Sequence, residues 1–233
     1  MSYTDKNGSS KVCSIHQPVF MPYLGVIDKI WNSDTFVALD DVQYVRRGYV
    51  NRNKILTQDG VQWLTIPVKK MTRDALISEI EIDFSVDWQN KMYHTIQHAY
   101  SKAPYYAEVM EVIGQLFTTK HSVLSSVNMD LLKNILAYLG IHAPFSFVYS
   151  SEFPVIDDPS SRLADRTLRS GSSVYLSGEN GREYLDLSKM GGVEVRYNEY
   201  TCKEYPQYNS KEFVPYLSVL DFLMNMGYNK DRL

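Results

Sequence analysis

The chain has 233 residues, 44% hydrophobic and 22% charged, with a formal net charge of -3 and an isoelectric point near 6.0. That is enough chain to bury a core, and the balance is that of an ordinary globular protein. It offers no basic excess for nucleic acid or an anionic membrane surface. Two cysteines, Cys13 and Cys202, are too few and too far apart for a disulfide framework and fit a reducing compartment. No stretch reaches the ~20 apolar residues of a membrane span. The polar N-terminus lacks the apolar region of a signal peptide, so residues 1–10 read as a loose tail and the expected address is the cytoplasm.

Val12–Ile15 reads as a strand that stops at His16-Gln17-Pro18. Phe20–Trp31 carries Leu24, Ile27, Ile30 and Trp31 at helical spacing, with Pro22 expected in its first turn. Thr35–Leu39 is a second apolar strand, closed by Asp40 and Asp41. Strand, helix and strand within about thirty residues make a Rossmann-like βαβ unit. Ligands of such units bind at the carboxyl ends of the strands, where His16-Gln17 and Asp40-Asp41 fall. Residues 42–55 are polar, aromatic and irregular. Residues 62–68 read as a further, buried strand, and Ile77–Ile82 as a strand with one wet face. Helices are expected over Asp87–Ser101, from Pro104 through Phe117, and over Ser122–Leu139, the last stopped by Gly140. Residues 145–149 form a short strand, Arg162–Leu168 a helix and Ser173–Leu176 a strand. A Gly-rich stretch, SGENGREYLD, precedes a short helix, the strand Val193–Tyr197 and a closing helix over Phe213–Met226. The reading is α/β with a mainly parallel sheet. Residues 11–233 are expected as one domain, with a helical insertion over about 86–142.

His16 can take or give a proton, Gln17 offers donors and an acceptor, and Pro18 restricts Gln17 to extended geometry. A hydrogen-bonded cap over the sheet explains His16 about equally well. Neighbouring residues of an extended chain face opposite ways, so one of Asp40 and Asp41 is expected to enter a site. Next come Gln43, Arg46, Arg47, Asn51, Arg52 and Asn53, three guanidiniums and three amides suited to phosphate or carboxylate. A solvated loop is the plain alternative. Ser177, Gly178 and Gly181 follow a strand and precede a helix, a setting for backbone N–H groups to meet an anion, though no P-loop is present and a tight turn with glycines at positive φ serves as well. His94 and His98 stand at i, i+4 with no third metal ligand in sight, so no metal site is assigned. Tyr205, Pro206 and Gln207 precede the closing helix. Its Asp221 is either exposed or a buried anchor in need of a partner. The chain has 18 tyrosines, Tyr184 and Tyr205 among them, suited to lining a cleft for a ring-shaped polar ligand.

These blocks (IHQPVFMPYLGVIDKI, SDTFVALDDVQYVRRGYVNRNKI, WLTIPV, YLSGENGREYLD, and YPQ with FVPYLSVLDFLMNMG) together resemble the WbqC-like family of bacterial proteins, many encoded among genes for O-antigen and other surface polysaccharides. The resemblance spans nearly everything after the tail. It implies a cytoplasmic enzyme acting on a polysaccharide precursor, a nucleotide-linked amino sugar. The expected reaction is acyl or aminoacyl transfer to the sugar amine. His16 would be the base, and Asp40 or Asp41 would orient it or bind the amine. The substrate would rest on Gln17, Gln43, Arg46, Arg47, Asn51, Arg52, Asn53, Ser177, Gly178, Gly181, Tyr184, Tyr205 and Gln207. No cofactor is specified. Two other readings stand beside it: an ATP-dependent adenylating ligase or nucleotidyltransferase, and a non-catalytic binding protein of a polysaccharide assembly.

Overall fold

The computed structural model describes residues 10–141 and 146–228. Residues 1–9 of the expected tail, His142 and Phe145 lie outside them. The chain divides into two compact units. Of the described residues, the first unit takes those up to Gln17, Gly25–Asp41 and those from 146 to Thr201; the second takes Pro18–Leu24, Val42–Ile141 and those from Cys202.

The first unit is a five-stranded parallel sheet with helices on both faces. Its strands are β1 (Val12–His16), β2 (Thr35–Ala38), β5 (Ser146–Tyr149), β6 (Val174–Gly178) and β7 (Glu194–Asn198), in the order β5-β2-β1-β6-β7. The strands between β2 and β5 belong to the second unit. Helix α1 (Leu24–Trp31) joins β1 to β2, and their register, Cys13 opposite Thr35 through His16 opposite Ala38, realises the expected βαβ unit. Helix α6 (Pro159–Arg169) leads into β6. It is capped by Asp158, whose carboxylate accepts the Ser161 N–H. Cys13, Ile15, Val37, Tyr175 and Val195 turn one face of the sheet onto Leu163 and Ala164 of α6. The alternate residues face the other way, where Ser14 meets Ser33 at 2.8 Å between hydroxyls. Helix α1 starts two residues after Pro22, so the expected first-turn proline lies ahead of the helix. A four-residue turn α7 (Gly181–Tyr184) follows β6.

The second unit is mainly helical and contains the expected insertion. It holds α2 (Trp88–Tyr100), α3 (Tyr106–Val112), α4 (Gln115–Thr118), α5 (Leu124–Tyr138) and α8 (Val219–Met226). It also holds an antiparallel hairpin of β3 (Arg52–Thr57) and β4 (Gly60–Thr65). Ile55, Ile66, Tyr100, Val109, Phe222 and Leu223 are among its buried side chains; each large apolar one contributes roughly 1.5–3 kcal/mol. Four expectations change here. The strand at 62–68 is β4, and most of its side chains are exposed rather than buried. Ile77–Ile82 is a 3-10 turn at Ile77–Glu79 flanked by isolated bridges, because Ile77 and Ile80 are both buried and three apart. The helix opened at Pro104 breaks before α4. The closing helix starts only at Val219, because Tyr216 adopts φ 56°, outside the helical range.

Candidate functional site

In the first unit, the ladder between β1 and β6 runs from Val12 opposite Val174 to Ser14 opposite Leu176 and stops there. Beyond it β1 continues against β2, and β6 continues against β7 to Gly178 opposite Asn198. The sheet therefore splits at its carboxyl edge between β1 and β6. The connections leaving β1 and entering β6 run in opposite directions across the sheet, which makes this the topological switch point, where doubly wound sheets bind their ligands.

His16 ends β1 at the split. Its Nδ1 lies 2.9 Å from the Gln17 carbonyl oxygen. A carbonyl only accepts, so Nδ1 carries the proton and the neutral ring has its lone pair on Nε2. Burial, with the charge of Lys29 beside it, pushes the pKa down to about 3. The imidazole is thus neutral across the physiological range, which corrects the expectation of a histidine titrating near neutrality. The Gln17 side chain, half-buried, makes no hydrogen bond among the described residues.

The two acids have other occupations. Asp40 accepts the Ser151 N–H at 2.9 Å and the Ser151 hydroxyl at 2.7 Å. Asp41 accepts from Arg166 Nη2 at 2.9 Å. Arg166 is fully buried and also donates to the Ser150 hydroxyl, the Pro154 carbonyl and Asp165. Burial alone would raise the Asp41 carboxyl, but Ser150 and the Arg166 guanidinium outweigh it and hold the group below the ordinary carboxylate range. Neither acid hydrogen-bonds His16. The expected acid–histidine pairing is replaced by acids that fix the segment after β5, while the Gln17 carbonyl orients the ring.

At the end of β6, Ser177 is buried and its hydroxyl donates to the Gly178 carbonyl. Neither Gly178 nor Gly181 has positive φ. Gly181 is glycine for a different reason: a Cβ there would stand 2.0 Å from Ser177 Oγ. A Cβ on Gly178 would meet nothing within 4 Å, so that position borders open space. Tyr184 is exposed.

The remaining candidates belong to the second unit. Asn51 and Asn53 are buried. Asn51 donates to the Ile66 carbonyl, and Asn53 donates to those of Phe20 and Met21. Asn53 and Asn128, which donates to the Pro18 and Val50 carbonyls, hold the 18–24 segment, where Met21 sits at φ 42°. The expected ligand role of Asn51 and Asn53 gives way to these internal ones. Gln207 is likewise consumed: it donates to Val214 O and Asp221 and accepts the Val214 N–H. Tyr205 is buried and donates to Asp221. Gln43 is exposed and donates to Arg73 O, and Arg46 reaches Met71 O. Arg52 donates to the Arg47 carbonyl and lays its guanidinium 4.1 Å from the Trp63 ring centroid, with Tyr49 5.7 Å from that ring. These cations and half-exposed aromatics form a face suited to an anionic or ring-bearing group. His94 and His98 are exposed on α2, and no three or more metal-ligating residues cluster among the described residues.

One residue escaped the sequence reading. Lys29, in α1, is 5% exposed. Its only trace in the sequence is a lysine inside the apolar run VIDKIW.

The sequence model of the WbqC-like protein family matches residues 17–232. The chain belongs to the WbqC-like protein family. The uncharacterized protein Rv1507c of Mycobacterium tuberculosis (strain ATCC 25618 / H37Rv) is 32% identical to this WbqC-like protein over 221 residues, covering 93% of this chain and 94% of that protein. No solved structure matches it. None of its described helices is long and apolar enough to cross a membrane.

Proposed function

We propose that this WbqC-like protein is a cytoplasmic transferase of surface-polysaccharide precursor synthesis, moving an acyl or aminoacyl group onto a nucleotide-linked amino sugar. The observation that carries the reading is His16: a neutral imidazole, oriented by the Gln17 carbonyl, with its Nε2 lone pair at the switch point of a parallel sheet. In the reaction the sugar amine attacks the carbonyl carbon of an activated acyl donor. A C–N bond forms and the bond from that carbon to its leaving group breaks. An amine becomes more acidic once it has attacked a carbonyl, and His16 Nε2 takes its proton and returns it to the leaving group. Gln17 orients the sugar. Incubation with nucleotide-linked amino sugars and acyl thioesters or aminoacyl adenylates, read by mass spectrometry, tests the reading. The expected product is an amide lost in His16→Ala; full turnover by His16→Ala overturns the base assignment.

The strand order favours a second reading, an ATP-dependent ligase or nucleotidyltransferase, because this topology accommodates nucleotides at the same edge. Calorimetry with ATP and Mg²⁺ separates the two: absence of binding removes it.

A further inference from the structure

Lys29 is a buried cation without an acid. Its ammonium donates to the Ile15 carbonyl at 3.0 Å, and it has no ion pair among the described residues. The place explains the bond. Peptide groups alternate along a parallel strand, and the His16 carbonyl already accepts from Leu39 on the β2 side. The Ile15 carbonyl therefore faces β6, beyond the last paired residue, where no strand partner remains. Lys29 fills that vacancy and stands in the split itself, on the same face of the sheet as His16. Across the split are Gly178, bordered by open space, and Asn198, whose amide donates to Asp28 at 2.7 Å. A lone ammonium held away from water is costly unless something offsets it.

We propose that Lys29 is the charged floor of an oxyanion subsite in the split between β1 and β6, and that it takes a phosphoryl group of the nucleotide-linked substrate, with the Gln17 amide completing the cradle. This deepens the transferase reading by placing a phosphate at the same edge, but it needs no acyl transfer to be true. The other titratable groups near Lys29 stay quiet at neutral pH: the Cys13 thiol is pushed up to about 12 by burial, and His16 is neutral. Asp28, on the same helix, accepts from Asn198. Burial lowers Lys29 to about 8, so the subsite loses its charge in mildly alkaline solution.

The test is thermal shift and calorimetry of the full chain with inorganic pyrophosphate, with acetate as the carboxylate arm. Pyrophosphate is expected to raise the wild-type melting temperature at pH 7, and its affinity to fall at least tenfold at pH 9.5. Lys29→Met should abolish the rise. Should that variant not fold, Gly178→Val, at a position where a Cβ meets nothing within 4 Å, narrows that open space and should also abolish it. Without ligand, the wild type should gain in melting temperature on Lys29→Met between about pH 8 and 10, because there the unfolded chain holds the lysine proton more tightly. Equal protection of Lys29→Met and wild type, an unshifted wild type, retained binding by Gly178→Val, or protection by acetate but not pyrophosphate each overturns the proposal. Failure of the transfer assay alongside pyrophosphate binding would remove the acyl-transfer reading and leave the subsite standing.

Discussion

Two carboxylates, one from each unit, are held in opposite ways. Asp41, in the first unit, faces the guanidinium of Arg166 and is kept readily ionised. Asp221, in the second, is fully buried and meets no cation among the described residues. Tyr100 donates to one oxygen at 2.7 Å, and Tyr205 and Gln207 to the other at 2.9 Å each. Burial raises its pKa even though these three donors oppose it. A full opposite charge overcomes desolvation where three neutral dipoles reduce it without cancelling it. This also answers the question left by the sequence: Asp221 is a buried anchor, and its partners are hydroxyls and an amide instead of an arginine.

The contrast can be broken most forcefully at Arg166. Arg166→Met takes the fully buried guanidinium from Asp41 and removes the donors to Ser150 and Pro154; chemical denaturation should show a loss of about 3–5 kcal/mol. Asp221→Asn should cost less, about 1–3 kcal/mol by the same measurement, because an amide keeps one acceptor but turns N–H groups toward donors. Acid titration sharpens the difference in sign. Asp221, raised in the folded state, contributes stability that is present below its unfolded pKa and lost as pH rises through its folded one. On acidification from neutrality towards about pH 4 the wild type should therefore gain on Asp221→Asn. Asp41, depressed in the folded state, contributes stability present above its unfolded pKa and lost as pH falls through its folded one. Below about pH 4 the wild type should accordingly lose ground to Asp41→Asn. Asp40→Ala, which removes only the acceptor for Ser151, should cost about 1 kcal/mol. Lys69→Ala, at an exposed pair with Glu81, should leave the denaturation midpoint unchanged.

The sheet was legible because its strands are short apolar runs bounded by polar residues, and because one helix between two such runs admits few topologies. His16 and both acids were correctly placed at strand ends for that reason. Their partners were not legible. Arg166 lies 125 positions from Asp41, and a polar residue's spacing says nothing about which distant group meets it. Strand β3 was hidden because it opens on Arg52-Asn53-Lys54, whose polarity suggests a loop; Asn53 is buried only because it secures the carbonyls of the 18–24 segment. Ile77–Ile82 misled because its alternation suits a strand, whereas burial follows Ile77 and Ile80. Lys29 was passed over because its meaning lies in the end of a ladder, which only coordinates reveal.

The order of the strands also bears on how the protein is made. β1 finds β2 after one short helix, yet its other neighbour, β6, begins at Val174. During synthesis the first strand must wait, half-paired and with an apolar flank uncovered, until most of the polypeptide has left the ribosome. Neither unit is a continuous piece of chain, so no truncated version can let one mature ahead of the other. Such distant pairing slows acquisition of the native state, and the protein should lean on chaperones more heavily than its modest size suggests.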